Sequence, residues 1–428
     1  MGHRVDDDDV ELHAFADDAR AFLDRARPRR PAETPAAAWG VGSEGLTVFH
    51  ETAGAEEVAE VEAAKAWQAE RWDAGFGWIT GPVEHGGAGG TPEHESVYRR
   101  IEDEYDVPDM MPLRIGLGTV SHALSTFGTD EQIGEHAVGL HSGRLVACQL
   151  FSEPDAGSDL ANVRTRAGRD GSSWLLTGQK VWSSNAHLAD IGLALARTDA
   201  DGPKHASLTM FVVPMATPGV TVRPLRQLTG GASFTEVFLD EVLVPDTLRV
   251  GGIGQGWSVT TSTLAAERTA VGDRSHGLMA RAMTLLRMLV SEGGAVAGPV
   301  ERDALAAIEV RLRVARYHQA RMQAVPPERA TGGERVMDKL MLTTTMRHMG
   351  DVASTLLGPR LVADTGEWGT YAWSKWVLGA PGMKIGGGTD EVLKSMVAER
   401  VLGLPREPKP AAPAGPTPST RGATPRES

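Results

Sequence analysis

Glu267 is the side chain whose type and position most directly imply chemistry. It lies three residues after Leu264 and four before Val271, so on a helix it shares their apolar face. That face continues through Leu278 and Leu285 at seven-residue spacing. A carboxylate on a packed stripe is costly unless it is partnered or faces a cavity. Desolvation raises its pKa, which suits a base that removes a weakly acidic proton. The structural alternative is an ion pair with Arg268 or Arg274. A second candidate lies in Gly386-Gly387-Gly388-Thr389, where backbone amides at a glycine turn entering a helix can hold a developing oxyanion. Asp390 and Glu391, just beyond, are explained as acids placed against the helix dipole. Ser152, Trp182 and Ser184, taken alone, read as strand-surface serines and a core aromatic.

Other suggestive clusters carry less. Gly86-Gly87-Ala88-Gly89-Gly90 lacks the Lys-Ser/Thr of a phosphate loop and reads as a tight turn between helices. His85 and His94 flank it without recurring metal-ligand spacing, so no metal is expected. Gly252-Ile253-Gly254-Gln255-Gly256 has the wrong third-glycine spacing for a dinucleotide fingerprint and reads as a link into a helix. The single cysteine, Cys148, sits in Leu145-Val146-Ala147-Cys148, which reads as a buried strand thiol in a reducing compartment.

These residues need positioning elements. A chain of 428 residues with 41 % hydrophobic content supports two or three domains. The net charge of −13 argues against nucleic acid or an anionic membrane as partner. No apolar run approaches membrane-spanning length and no signal peptide is visible, so a cytoplasmic protein is expected. Residues 1–142 read as an N-terminal α-helical domain, with Leu12, Phe15, Ala19, Phe22 and Leu23 at helical spacing and an exposed Pro/Ala-rich loop from Pro28 to Ala38. Residues 143–252 read as a central antiparallel β-domain: Ile191, Leu193 and Leu195 alternate, and Gly178-Gln179 marks a hairpin turn. Residues 253–404 read as a C-terminal helical bundle, with helices near Glu301–Ala324, Val336–Leu357 and Asp390–Leu402; residues 405–428 read as a disordered tail. The fold class is α+β.

Two collinear blocks go further. Ser152-Glu153-Pro154-Asp155-Ala156-Gly157-Ser158-Asp159 and Gly178-Gln179-Lys180-Val181-Trp182-Ser183-Ser184-Asn185-Ala186 resemble the flavin-facing segments of the acyl-CoA dehydrogenase family, in order and in separation. The likeness extends over about residues 10 to 404. It implies a flavoprotein oxidoreductase of lipid metabolism and fatty acid β-oxidation. In the family an FAD takes the β-hydride of an acyl-CoA at N5 while a carboxylate removes the α-proton, and an electron-transfer flavoprotein is the acceptor. It places Phe151, Ser152, Trp182 and Ser184 at the flavin, Ser158 and Arg268 at the CoA moiety, Glu267 as base, and Gly387 and Gly388 at the thioester oxygen. A homodimer or homotetramer is implied.

The sequence departs from the family's commonest pattern twice. The position just before Gly-Thr, often a catalytic Glu, is Gly387; isovaleryl-type and long-chain-type members carry the Glu at the position of Glu267. The Arg-x-x-Phe-Gly pattern that reaches the FAD diphosphate of a neighbouring subunit is absent from Leu285 to Gly294. Some bacterial relatives assemble from two unlike chains that share flavin sites. The alternatives to a self-sufficient dehydrogenase are therefore a non-catalytic or half-site subunit beside a homologue, and a flavin oxidase or monooxygenase on the same scaffold.

Overall fold

The computed structural model describes residues 3–30, 40, 44–49, 52, 54–295, 297–323, 325 and 336–406; side chains at 3–9, 267–276 and 323 lie outside the described set. Most of the Pro28–Ala38 loop and the tail from 407 onward also lie outside it.

Helices come first. Helix α1 (His3–Ala26), α2 (Ala55–Asp73) and α3 (Pro92–Glu102) gather around Ala19, Leu23, Trp67, Phe76, Tyr98 and Tyr105. Thr91 caps α3 and the His94 ring closes the capping box, so this histidine has a structural task. Short helices α4 (Ser121–Phe127), α5 (Asp130–Gln132) and α6 (Val138–His141) follow, with wide π turns over Ile115–Val120 and Ile133–Ala137.

The sheet has eight strands: β1 (Ala147–Leu150), β2 (Arg166–Asp170), β3 (Ser173–Ser184), β4 (Ile191–Arg197), β5 (Leu208–Pro214), β6 (Val220–Leu225), β7 (Phe234–Pro245) and β8 (Arg249–Val250). Its order is β6-β7-β3-β2-β4-β5-β8, with β1 beside β4. Pairing is antiparallel except for β1 with β4 and the single Arg166–Arg197 pair between β2 and β4. Strands β4 and β5 are buried on both faces, as near-continuous apolar runs require. Leu193, Leu195, Met210 and Val212 pack towards the helices, in one cluster with Leu124, Leu140 and Val259. Ala194, Ala196, Phe211 and Val213 pack the other way, against Trp174, Leu176, Val237 and Val244. Cys148 is fully buried, and desolvation pushes its thiol up to about 12.

The expected hairpin at Gly178-Gln179 is not formed. Strand β3 runs straight through it, paired with β7 on both sides of a register shift between Leu176 and Gly178. The glycine serves a close approach: a Cβ there would lie 2.3 Å from Thr165 Oγ1 and 2.7 Å from Thr165 Cα. A bulge glycine and a turn glycine look alike in sequence.

After the sheet come α7 (Gly256–Ser291), α8 (Pro299–Gln323), α9 (Val336–Leu357), α10 (Ala372–Met383) and α11 (Asp390–Arg400). Helix α7 joins two cores: Val259 and Leu264 pack with the sheet cluster, whereas Leu278, Leu285, Leu286 and Leu289 enter the helical bundle with Met346, Met349, Trp373 and Trp376. Helix α10 carries Gly379, Pro381 and Gly382, breakers that hid it from helical periodicity. Its glycines let it come close: a Cβ at Gly379 would meet Val48 at 3.1 Å and one at Gly382 the Phe49 ring at 2.7 Å.

His141 locks the helical layer below the sheet. Its Nδ1 lies 3.1 Å from the Gly77 carbonyl and its Nε2 2.8 Å from Ser121 Oγ. A carbonyl only accepts, so Nδ1 carries the proton and the serine hydroxyl donates to Nε2. The ring stacks on Trp78 at 4.3 Å. Burial, against the Gly77 bond, lowers its pKa from 6.5 to about 3. The unfolded chain therefore binds one more proton between those values, and stability falls as pH drops through 6.5. The expected contribution is a slope of about 1.4 kcal/mol per pH unit that His141→Gln lacks, measured by denaturant titration of both proteins from pH 7 to pH 5.

Candidate active site

The two sequence blocks meet at a buried ion pair. Lys180, fully buried in β3, donates from Nζ to Glu153 Oε1 at 2.9 Å, to the Phe151 carbonyl at 3.1 Å and to the Leu195 carbonyl at 2.6 Å. Glu153 in turn accepts from the amides of Arg164 at 2.6 Å and Thr165 at 2.8 Å. The ammonium has three donors and all are used. Burial pulls the Lys180 amine down to about 8 although Glu153 opposes it. Burial alone would raise the Glu153 carboxyl, but the Lys180 charge and the Thr165 and Arg164 bonds together hold it low. The amide of Val181 donates to the Ser152 carbonyl at 2.9 Å, fastening the first block directly to the second.

Just beyond this anchor β3 loses register between Lys180 and Ser183. Trp182 takes φ 61° and Asn185 φ 54°, left-handed backbone that L side chains avoid. The consequence is exposure: Trp182 is 63 % accessible, not the core aromatic that its composition suggested. Its ring meets the edge of Phe234 at 6.1 Å, and Phe234 meets Phe49 at 5.3 Å. Phe49 is the ring against Gly382, so the aromatic row links Trp182 to α10, which leads into the glycine turn. Ser183 Oγ and Asn185 Oδ1 are buried without a hydrogen-bond partner among the described residues. A large aromatic held out in strained backbone, beside orphaned buried polar atoms and the half-buried Ser152 and Ser184, fits the edge and face of a flat heteroaromatic cofactor.

The turn before α11 completes the picture. Gly387 and Gly388 have φ of 68° and 99°. Lys339 of α9 donates to the carbonyls of both Gly386 and Gly388. Asp390 is buried, accepting from Thr343 Oγ1 at 3.0 Å with Lys384 Nζ at 3.6 Å; it is a structural residue of the helix start.

Of the other sequence candidates, Phe151 is buried behind the anchor and lends its carbonyl to Lys180. Ser158 is exposed on its turn, where the neighbouring Asp159 is held by Lys204 at 2.6 and 2.8 Å. The backbone of α7 runs through Glu267 and Arg268 where the helix passes from the sheet core to the bundle, while their side chains lie outside the described residues. Of two hollows of about 330 and 300 Å³, one is lined by Arg166, Thr177 and Arg197 on the sheet, and the other, between α9 and α10, is lined by Thr343 and Lys384 next to the glycine turn. Lys180, Glu153 and Lys339 were unassigned by sequence reasoning. A lysine followed directly by Val181-Trp182 in a strand was the available signal for Lys180; nothing local marked Lys339.

The comparisons with known proteins decide the lineage. Residues 148–242 match the acyl-CoA dehydrogenase middle domain and residues 254–402 the acyl-CoA dehydrogenase C-terminal domain. Over 349 residues the chain is 35 % identical to the acyl-CoA dehydrogenase IpdE1 of Mycobacterium tuberculosis, covering 81 % of this chain and 90 % of that one. The chain belongs to the acyl-CoA dehydrogenase family. It is thus an oxidoreductase by homology, with the family's helical, β-sheet and helical order. The acyl-CoA dehydrogenase FadE34 of the same organism is 40 % identical over 283 residues, 65 % of this chain and 38 % of that protein. Among solved structures, the steroid acyl-CoA dehydrogenase complex Tcur3481-Tcur3483 superposes with a TM-score of 0.73 at 26 % identity, over 93 % of this chain and 98 % of that chain.

Two outcomes test the site's construction. Trp182→Gly relieves left-handed backbone and should leave thermal stability equal or higher by roughly 1 kcal/mol, while the flavin absorbance of the purified protein falls. Glu153→Gln leaves the Lys180 ammonium buried without a counter-charge and should cost about 3–5 kcal/mol in urea unfolding.

Proposed function

We propose that this chain is an FAD-dependent dehydrogenase that introduces an α,β double bond into an acyl-CoA thioester. The observation that carries the reading is the exposed, left-handed Trp182, next in the chain to Val181, whose amide is bonded to the Ser152 carbonyl, with Ser183 and Asn185 polar atoms unpaired among the described residues. In this reading Trp182 lies against the flavin face, and the Ser152 and Ser184 hydroxyls hydrogen-bond its edge. FAD, when bound, supplies the hydride acceptor. Glu267, on the stretch of α7 that leads from the sheet to the bundle, removes the α-proton; the amides of Gly387 and Gly388 hold the thioester oxygen as it gains charge. Ser158 and Arg268 contact the CoA moiety, and an electron-transfer flavoprotein is the acceptor.

The substrate class we propose is a bulky acyl-CoA. Gly387 has no side chain where many relatives place a carboxylate, which leaves room beside the thioester. The steroid substrate in the name of the Tcur3481-Tcur3483 complex supports the same direction.

A second reading, a half-site subunit that completes its flavin pocket with a homologous chain, is favoured by the missing Arg-x-x-Phe-Gly pattern. Structural neighbours named as two-chain complexes, Tcur3481-Tcur3483 and ChsE4-ChsE5, support it.

The visible spectrum of the chain purified alone separates the two. About one flavin per chain, bleached anaerobically by a polycyclic acyl-CoA, is expected of the dehydrogenase; a folded, colourless protein that takes up flavin only with a co-expressed homologue marks the half-site subunit. Glu267→Gln should keep the flavin and abolish its reduction, and full-rate reduction in that variant sinks the base assignment.

A further inference from the structure

The glycine turn is gripped from one side. Lys339, only 7 % exposed, reaches from α9 to the carbonyls of Gly386 and Gly388. One helical turn later Thr343 donates to Asp390 at the start of α11. Lys384 closes the cluster against the same Asp390, and the Asp390 amide returns to the Lys384 carbonyl at 3.1 Å. Leu393 packs against Gly388, 3.3 Å from where a Cβ would sit, so the turn has a close apolar neighbour as well as the lysine.

What the grip leaves over is informative. Both carbonyls around Gly387 are taken by the ammonium, and the Gly386 amide donates to the Gly382 carbonyl at 2.9 Å. The amides of Gly387 and Gly388 have no acceptor among the described residues. With φ of 68° and 99°, these are consecutive N–H groups in a tight turn, where successive amides can make an anion-binding concavity. The cation on the Gly386 carbonyl also polarises the peptide unit that carries the Gly387 N–H.

We infer that Lys339 is a positioning residue for the oxyanion site: by holding the carbonyls of Gly386 and Gly388 it fixes the Gly387 and Gly388 amides towards the thioester oxygen. This rests on the proposed dehydrogenase reading. It deepens that reading by explaining how a turn without any side chain keeps its donors in place. Lys339 touches no reacting atom; its effect passes through the Gly386–Gly387 peptide, which carries the Gly387 N–H, and the Gly388–Thr389 peptide, which with it brackets the Gly388 N–H.

The experiment uses the flavin-loaded protein, with its partner chain if one is needed, and acetoacetyl-CoA, whose enolate mimics the charge of the reaction. Binding to wild type should lower the apparent pKa of the bound ligand, followed by its enolate absorption. In Lys339→Met that pKa should rise by about one unit, a tenfold loss of enolate stabilisation. Affinity for the neutral thioester and flavin content should stay unchanged, and the limiting rate of flavin reduction should fall about 10- to 100-fold. If Lys339→Met does not fold, Lys339→Gln, which keeps amide N–H donors without the charge, should give the same direction at smaller amplitude. A folded variant with wild-type ligand acidity overturns the inference, as does a parallel loss of neutral-ligand affinity and rate. A wild-type protein that leaves the ligand's acidity unchanged removes the dehydrogenase reading, and this inference with it.

Discussion

The fold around the site depends on one buried contact, Lys180 with Glu153. Three carbonyl or carboxylate oxygens saturate the ammonium and two amides saturate the carboxylate. They come from the segment after β1, from β3, from β4 and from the loop before β2, so one ion pair sets the relative position of four pieces of backbone. Such a pair adds little net stability over an apolar pair of the same shape, because desolvation offsets the attraction. What it supplies is geometry. A lysine with three acceptors at fixed distances admits one arrangement of the strands around it.

That geometry explains where strain can be tolerated. Immediately after Lys180 the strand bulges, and Trp182 adopts backbone that costs roughly 1–2 kcal/mol. The bulge persists because Lys180 anchors its near side and the Ser183–Thr235 and Ser184–Phe234 pairs with β7 anchor its far side. An exposed tryptophan in left-handed backbone is poor economy for a fold and good economy for a binding surface. The same division appears at the other end of the aromatic row. Lys339 and Thr343 of α9 hold a glycine turn whose own residues have no side chains with which to hold themselves.

Much of this was legible in the chain. Alternation in Ile191-Gly192-Leu193-Ala194-Leu195 and seven-residue spacing along α7 report directly on burial, because a strand or helix repeats its faces at a fixed period. The two motif blocks named the family because local backbone and side-chain types recur together wherever that surface is built. The hairpin at Gly178 was misread since glycine permits both a turn and a close approach, and only the position of Thr165 selects the second. Helix α10 was missed because Gly379, Pro381 and Gly382 argue against a helix locally, while Val48, Phe49 and Trp376 reward one in three dimensions.

Sequence alone thus determined the class of the fold and the family, both of which depend on periodicity or on contiguous motifs. Tertiary structure alone decided that Lys180 spends all three donors on partners 15 to 29 positions away, that Trp182 faces outward, and that Lys339 holds a turn 47 to 49 residues distant. The physical reason is range. Propensity and patterning act within a few residues of chain, whereas the saturation of a buried charge is settled by whichever backbone groups the completed fold brings within hydrogen-bond distance.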